Sequence, residues 1–172
     1  MSPDPRLSSF LPALRRVQLL VLDVDGVLTD GRLFYGPRGE ALKVFHVRDG
    51  HGIKQVAAAG ITVAIISGRR STAVTRRARE LGIRHVTQGA NDKLGALTRL
   101  ARSRSLALEH CACVGDDTPD APMLQAAGLA IAVADAHGDA LAHADLVTTR
   151  AGGHGAVREV CDWLLDARRA RA

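Results

Sequence analysis

The sequence predicts an α/β fold in which a largely parallel sheet carries helices on both faces. Three observations lead there. Short apolar runs recur at 17–22, 61–66, 84–87, 111–114, 129–133 and 146–149, each bounded by turn residues, as expected of strands buried on both sides. Helix-length stretches separate the runs, and regular alternation of strand and helix selects a parallel sheet. The runs also end in polar clusters: Asp23 and Asp25, Ser67, and Asp116 with Asp117. In sheets of this Rossmann-like kind, ligands sit at the carboxyl ends of the strands.

The first run, VQLLVL, exits into DVDGVLTDG. Carboxylates at i and i+2 share a site only if the chain turns between them, and Gly26 permits the turn. Residues 32–47, RLFYGPRGEALKVFHV, hold two strand-like stretches around Gly36-Pro37-Arg38-Gly39. They predict a β-hairpin, placed as a flap over a site or as an oligomer contact, and too small to be a cap domain. Arg48-Asp49-Gly50-His51-Gly52 reads as a polar loop, with a helix from Ile53 to 59.

The second strand exits at Ser67-Gly68-Arg69. A helix over 70–81 then carries Arg70, Arg76, Arg77 and Arg79. After the third strand, Asp92 opens a helix with Lys93 in its first turn. The fourth strand exits at Gly115-Asp116-Asp117, where Thr118 is expected to cap the next helix with Pro119 in its first turn. The glycine-rich stretch 151–155 reads as a flexible link to a last helix at 156–167, whose Val157, Val160, Cys161, Leu164 and Leu165 have helical spacing. The expected organisation is a loose lead-in at 1–16, one domain at 17–167 with the flap at 32–47, and a frayed tail at 168–172.

Composition narrows the function classes. Hydrophobic residues make up 47% and charged residues 24%, ordinary for a globular chain with a real core. No apolar run approaches the roughly 20 residues of a membrane span, and the N-terminus lacks the pattern of a secretory signal. Three cysteines, two of them alternating in a strand-like run, suit buried thiols in a reducing cytoplasm. The net charge of +5 fits steering of anionic small substrates. With aromatics at 3%, there are few stacking platforms for single-stranded nucleic acid, so neither a nucleic acid nor a membrane is expected as partner.

The polar strand ends suit phosphoryl transfer. A carboxylate attacking a phosphate needs a cation to offset anion–anion repulsion. A hard cation such as magnesium takes oxygen ligands: a side-chain oxygen of Asp23, the backbone carbonyl of Asp25, and Asp116. Lys93 supplies charge to the transferring oxygens, while Ser67 and the Gly68 N–H supply donors. Asp25 lies close enough to the nucleophile to move protons. Taken singly, each feature has a plainer reading: a solvated turn, a turn, a surface helix lysine, a helix cap. Their joint occurrence at strand exits, in this order, favours the site.

DVDGVLTDG, ISGR, Lys93 and VGDDTPD resemble the four motifs of haloacid dehalogenase superfamily phosphatases. KVFHVRDGHGIK at 43–54, QGANDK at 88–93, AVADAH at 132–137 and GGHGAVRE at 152–159 are similar to the branch acting on keto-sugar acid phosphates. The resemblance covers nearly everything from Val17 to Trp163. It implies that Asp23 is nucleophile and magnesium ligand, and that Asp25 is general acid/base and binds the metal through its carbonyl. Asp116 would be the third ligand, supported from behind by Asp117 and Asp120, while Ser67, Gly68 and Lys93 hold the phosphate. The implied reaction is hydrolysis of 3-deoxy-D-manno-octulosonate 8-phosphate in lipopolysaccharide precursor biosynthesis, by a tetramer whose neighbouring chains close each site. Thr118 and Ala121-Pro122 depart from the family pattern.

Arg69 bears on the substrate, because a planar guanidinium suits a sugar-acid carboxylate. Arg76, Arg77 and Arg48 are further candidates for the acid. Relatives acting on nine-carbon keto acids resemble the chain but tend to carry an acidic residue at the position of Arg69, so Arg69 favours the eight-carbon acid. A receiver-type signalling domain is the rival outside enzymes. Its phospho-accepting Asp would follow a later strand, whereas here the second strand exits at Ser67.

Overall fold

The computed structural model describes residues 5–169. Residues 1–4 of the expected lead-in and 170–172 of the expected tail lie outside them. A 3₁₀ turn at Pro5–Phe10 leads into α1 (Leu11–Arg16), followed by β1 (Leu19–Leu22), β2 (Phe34–Gly36), β3 (Gly39–Leu42) and α2 (Val47–Ala58). Next come β4 (Thr62–Ser67), α3 (Thr72–Leu81), β5 (His85–Gln88), α4 (Lys93–Ser103) and β6 (Cys111–Gly115). After a 3₁₀ turn at Thr118–Asp120 the chain forms α5 (Ala121–Ala126), β7 (Leu129–Ala132), α6 (Gly138–Ala142), β8 (Leu146–Val147) and α7 (Ala156–Arg169). Six strands make one parallel sheet in the order β5-β4-β1-β6-β7-β8, while β2 and β3 pair only with each other. The six apolar runs are the six strands of that sheet.

Alternation along β1 divides the core in two. Leu20 and Leu22 face one apolar layer with Ile53, Val56, Val157, Val160 and Leu164, on the side of α2 and α7. Leu19 and Val21 face the other, with Leu97 from α4 and Met123 and Leu124 from α5. β1 sits mid-sheet between β4 and β6, and all four of its residues are buried. Its exit is therefore flanked by the exits of both neighbours. No helix among the described residues is long and apolar enough to cross a membrane.

Six local expectations need correction. The lead-in is packed rather than loose: Leu7 and Leu14 are buried, and Arg15 Nε donates to the Ala167 carbonyl at 3.1 Å. The last helix continues past 167 to Arg169, because Arg168 is tied down by donating to the carbonyls of Ala59 (2.6 Å) and Val17 (2.8 Å). The hairpin strands end at Leu42, and the stretch 48–52 is helical, not a loop. His46 caps α2 by accepting from the Arg48 N–H. Gly50 and Gly52 are there for close approach: a Cβ on Gly52 would lie 2.9 Å from Arg158 Cδ and 3.0 Å from Cys161 Cβ. Asp49 is buried and accepts from the Arg158 N–H at 2.8 Å, on the first turns of α7.

The stretch 151–155 is likewise no loose link. Gly152 and Gly153 press against the loop that follows Asp25: a Cβ on Gly152 would stand 1.6 Å from the Gly26 carbonyl oxygen. The Gly153 N–H donates to the Val27 carbonyl, and Asp135 accepts from the Gly152 N–H. Asp117, not Thr118, caps the turn after β6, accepting from the Thr118 N–H at 2.8 Å. The Thr118 hydroxyl donates to Asp139 of α6 instead.

Candidate active site

The site forms where β1, β4 and β6 end side by side. The Asp23 N–H donates to the Val114 carbonyl, which carries the β1–β6 pairing one residue beyond the strand. The chain then folds back on itself, with the N–H groups of Val27, Leu28 and Thr29 all donating to the Val24 carbonyl. Gly26 makes the turn at a φ of 91°. Asp23 is left buried while Asp25 is half-buried.

Oxygens of Asp23, Asp116 and Asp120 lie within 4.8 Å of one another. Lys93 enters among them from the first turn of α4, its Nζ 3.0 Å from Asp23 Oδ1 and 2.6 Å from Asp120 Oδ1. The helix is started by Asp92, whose side chain accepts from the Gly95 N–H. The second oxygen of Asp120 accepts from the N–H groups of Asp116 and Asp117, which holds the loop after β6 in shape. The Asp116 carbonyl accepts from the His137 N–H at 2.7 Å. The Asp117 side chain points outward as the cap already described, so of the two acids expected behind Asp116 only Asp120 faces the cluster. Ser67, the last residue of β4, is 2% exposed, and Gly68 and Arg69 open to solvent beyond it.

Three carboxylates around one ammonium leave an excess of negative charge. Burial, joined by repulsion from Asp120 and opposed by Lys93, pushes the Asp23 carboxyl up to about 6. Burial, then Asp23 and Asp120, push Asp116 up to about 8. Lys93 is held charged despite its own burial by Asp23 and Asp120. An all-oxygen donor set with unbalanced negative charge and no thiol or imidazole fits a hard divalent cation.

Residues 84–160 match the haloacid dehalogenase-like hydrolase family. The chain is 48% identical over 161 residues to the 3-deoxy-D-manno-octulosonate 8-phosphate phosphatase KdsC of Escherichia coli K12, a span covering 94% of this chain and 86% of that protein. The chain belongs to this phosphatase family. Its fold is similar to that of the phosphatase of Moraxella catarrhalis, solved in complex with a magnesium ion, a phosphate ion and KDO. That similarity has a TM-score of 0.92 and 42% identity over 95% of this chain and 94% of that one. The cobalt-bound phosphatase of Haemophilus influenzae gives a TM-score of 0.89 at 43% identity, over 91% and 92% of the two chains.

In this phosphatase the hairpin carries groups to the site that sequence reading left unassigned. Lys43 Nζ forms an ion pair with Asp25 Oδ1 and lies 3.1 Å from Glu40 Oε2, and its side chain is 2% exposed. Glu40 also accepts from the Ser71 hydroxyl at 2.6 Å. Arg69 stands at the mouth, Nε 3.7 Å from Asp25 Oδ2 and Nη2 within 3.4 Å of the Tyr35 hydroxyl and Glu40. The other candidate arginines are placed differently. Arg77 lies over the Phe45 ring and pairs with Glu80, while Arg76 and Arg48 are exposed. Among the described residues no hydrogen bond or ion pair joins Arg48, Arg76 or Arg77 to Asp23, Asp25, Ser67 or Lys93.

A pH dependence follows from the crowded carboxylates. Asp23 and Asp116 bind protons more tightly in the folded than in the unfolded chain, whose carboxyls titrate near 3.8. The folded state therefore holds the extra protons between about pH 4 and 8, and metal-free stability falls as pH rises through that window. A bound cation supplies the missing positive charge and competes with those protons. Thermal melts at pH 5, 6.5 and 8 should show the metal-free protein losing stability with rising pH, and stabilisation by magnesium growing over the same range. A metal-free protein that gained stability towards pH 8 would contradict this electrostatic picture.

Proposed function

We propose that this chain is a magnesium-dependent phosphatase that hydrolyses 3-deoxy-D-manno-octulosonate 8-phosphate to the free sugar acid and phosphate, a step in lipopolysaccharide precursor synthesis. The observation that carries the reading is the Asp23–Lys93–Asp116 cluster at adjoining strand exits, in a chain 48% identical to a phosphatase of that substrate. Asp23, Asp116 and the Asp25 carbonyl are the groups to hold the metal, which when bound neutralises charge on the transferring phosphoryl oxygens. Lys93, Ser67 and the Gly68 N–H hold those oxygens. A carboxylate oxygen of Asp23 attacks phosphorus, and the P–O bond to the sugar breaks. Protonated Asp25 gives its proton to the departing alkoxide. Asp25 then takes a proton from water as the water oxygen attacks the phosphorus of the aspartyl phosphate. Phosphate leaves and the Asp23 carboxylate is restored.

Arg69 is the group proposed to read the substrate's carboxylate, since it is the arginine at the mouth and already engages Glu40 there. Arg69→Ala should lower kcat/KM for the sugar acid phosphate by about 1.5–3 kcal/mol, the scale of hydrogen bonds to a charged group. It should spare a small phosphate ester lacking a carboxylate. Arg69→Lys should recover part of the loss, because a lysine meets a carboxylate only as a point charge. Phosphate release measured across eight- and nine-carbon keto-acid phosphates tests the substrate. Preference for the nine-carbon acid, or equal loss on both ester classes in Arg69→Ala, would overturn the assignment.

The working form is proposed to be a homo-oligomer, a tetramer, in the reducing cytoplasm. All three cysteines are free and buried. On and beside the hairpin, Leu33, Tyr35, Leu42, Val44 and Val47 are between 42% and 76% exposed. Such apolar surface on one small flap suits contact with a second copy. Light scattering should return a multiple of the 18.2 kDa chain mass; a single-chain mass at working concentration would sink the proposal.

A further inference from the structure

The hairpin is joined to the body through polar contacts, and their centre is a buried lysine. β2 and β3 share no strand pairing with the six-stranded sheet. An ammonium so thoroughly buried loses hydration worth several kcal/mol, and must be offset by close opposite charge. Lys43 has two such partners, Asp25 and Glu40. Glu40 is fixed in turn by the hydroxyl of Ser71, at the start of α3. A continuous relay thus runs from the α3 N-terminus through Ser71, Glu40 and Lys43 to Asp25.

Asp25 stands beyond the end of β1, on a half-buried side chain with two free torsions. Lys43 holds one of its oxygens, Oδ1, and leaves Oδ2 turned towards Arg69 and the mouth. We propose that Lys43 is a positioning residue for Asp25: it selects the rotamer in which Oδ2, the oxygen facing the mouth, meets the leaving alkoxide and later the attacking water. The hairpin then contributes to proton transfer within its own chain, apart from any contact with a neighbour. The proposal rests on Asp25 as the proton carrier.

The test is dependence on the leaving group. The sugar alkoxide needs a proton to depart, whereas p-nitrophenolate leaves without one, and kcat/KM reports the steps up to departure. Lys43→Met keeps an unbranched, flexible stem out to the ε-carbon and removes the ammonium. For 3-deoxy-D-manno-octulosonate 8-phosphate, kcat/KM should fall on the order of 100-fold, the cost of misplacing a catalytic group by about 1 Å. For p-nitrophenyl phosphate it should fall by less than about threefold, and the magnesium concentration for half-activity should not move. Lys43→Gln, which retains a donor and replaces the ammonium with a neutral amide, should show the same discrimination in smaller degree. In an Asp25→Asn background, Lys43→Met should have no further effect on the sugar phosphate.

Equal losses on both substrates, or none on either, would overturn the proposal. Discrimination in Asp25→Asn without any in Lys43→Met would overturn it while leaving Asp25 as proton carrier. Absence of discrimination in Asp25→Asn would overturn that assignment and the proposal together.

Discussion

Asp23→Asn is expected to remove turnover by about 10⁴-fold or more, the scale on which losing a nucleophile acts when other groups still bind substrate. The amide has the shape of the carboxylate but cannot attack phosphorus. It also removes one of three crowded negative charges, so the variant should fold. Lys93 keeps Asp120 as a partner at 2.6 Å, and the metal-free protein should melt no lower than the wild type at pH 8. Acid-quenched wild type under turnover should carry phosphate on Asp23, and the variant none. Asp25→Asn provides the contrast. Its proposed metal contact is a backbone carbonyl, so magnesium dependence should persist while turnover slows by about 100- to 10,000-fold. Near-normal rates in Asp23→Asn would rule out an aspartyl-phosphate route.

Gly26→Ala is expected to disturb the metal-binding carboxylates directly. The residue sits at a φ of 91°, where a side chain costs roughly 1–2 kcal/mol. The added Cβ would also stand 2.0 Å from Asp116 Oδ2 and 2.4 Å from its Cγ. Asp116 cannot retreat as a unit, since its N–H is held by Asp120 and its carbonyl by the His137 N–H. Its carboxylate must therefore swing out of the cluster. Magnesium affinity should fall about 10- to 100-fold, as when support of a metal ligand is removed. High magnesium should restore part of the rate. Gly39→Ala separates the two causes. Its φ is 100° but no atom lies within 4 Å of its Cβ position, so it should bind magnesium normally. Equal magnesium affinity in Gly26→Ala and the wild type would show that the carboxylate does not need this space.

The sheet, its strand exits and the acids upon them were legible because their signals are local. A run such as LLVL is buried on both faces whatever lies beside it, and a turn after it needs a Gly26. Asp92 and Lys93 sit together at a helix start for the same short-range reason. Where sequence reading failed, the deciding partner was remote. Lys43 looks like any solvent-facing hairpin lysine until the flap folds back on Asp25, 18 residues earlier. Asp49 and its flanking glycines resemble a loop, yet they serve α7, with Asp49 bonded to a residue 109 positions away. Gly152 and Gly153 resemble a tether, but their missing side chains admit the backbone of the loop that follows Asp25. Periodicity and turn chemistry report on neighbours within a few residues. Which buried charge meets which, and which backbones touch, depends on how helices and loops pack across the sheet, and only the tertiary structure decided that.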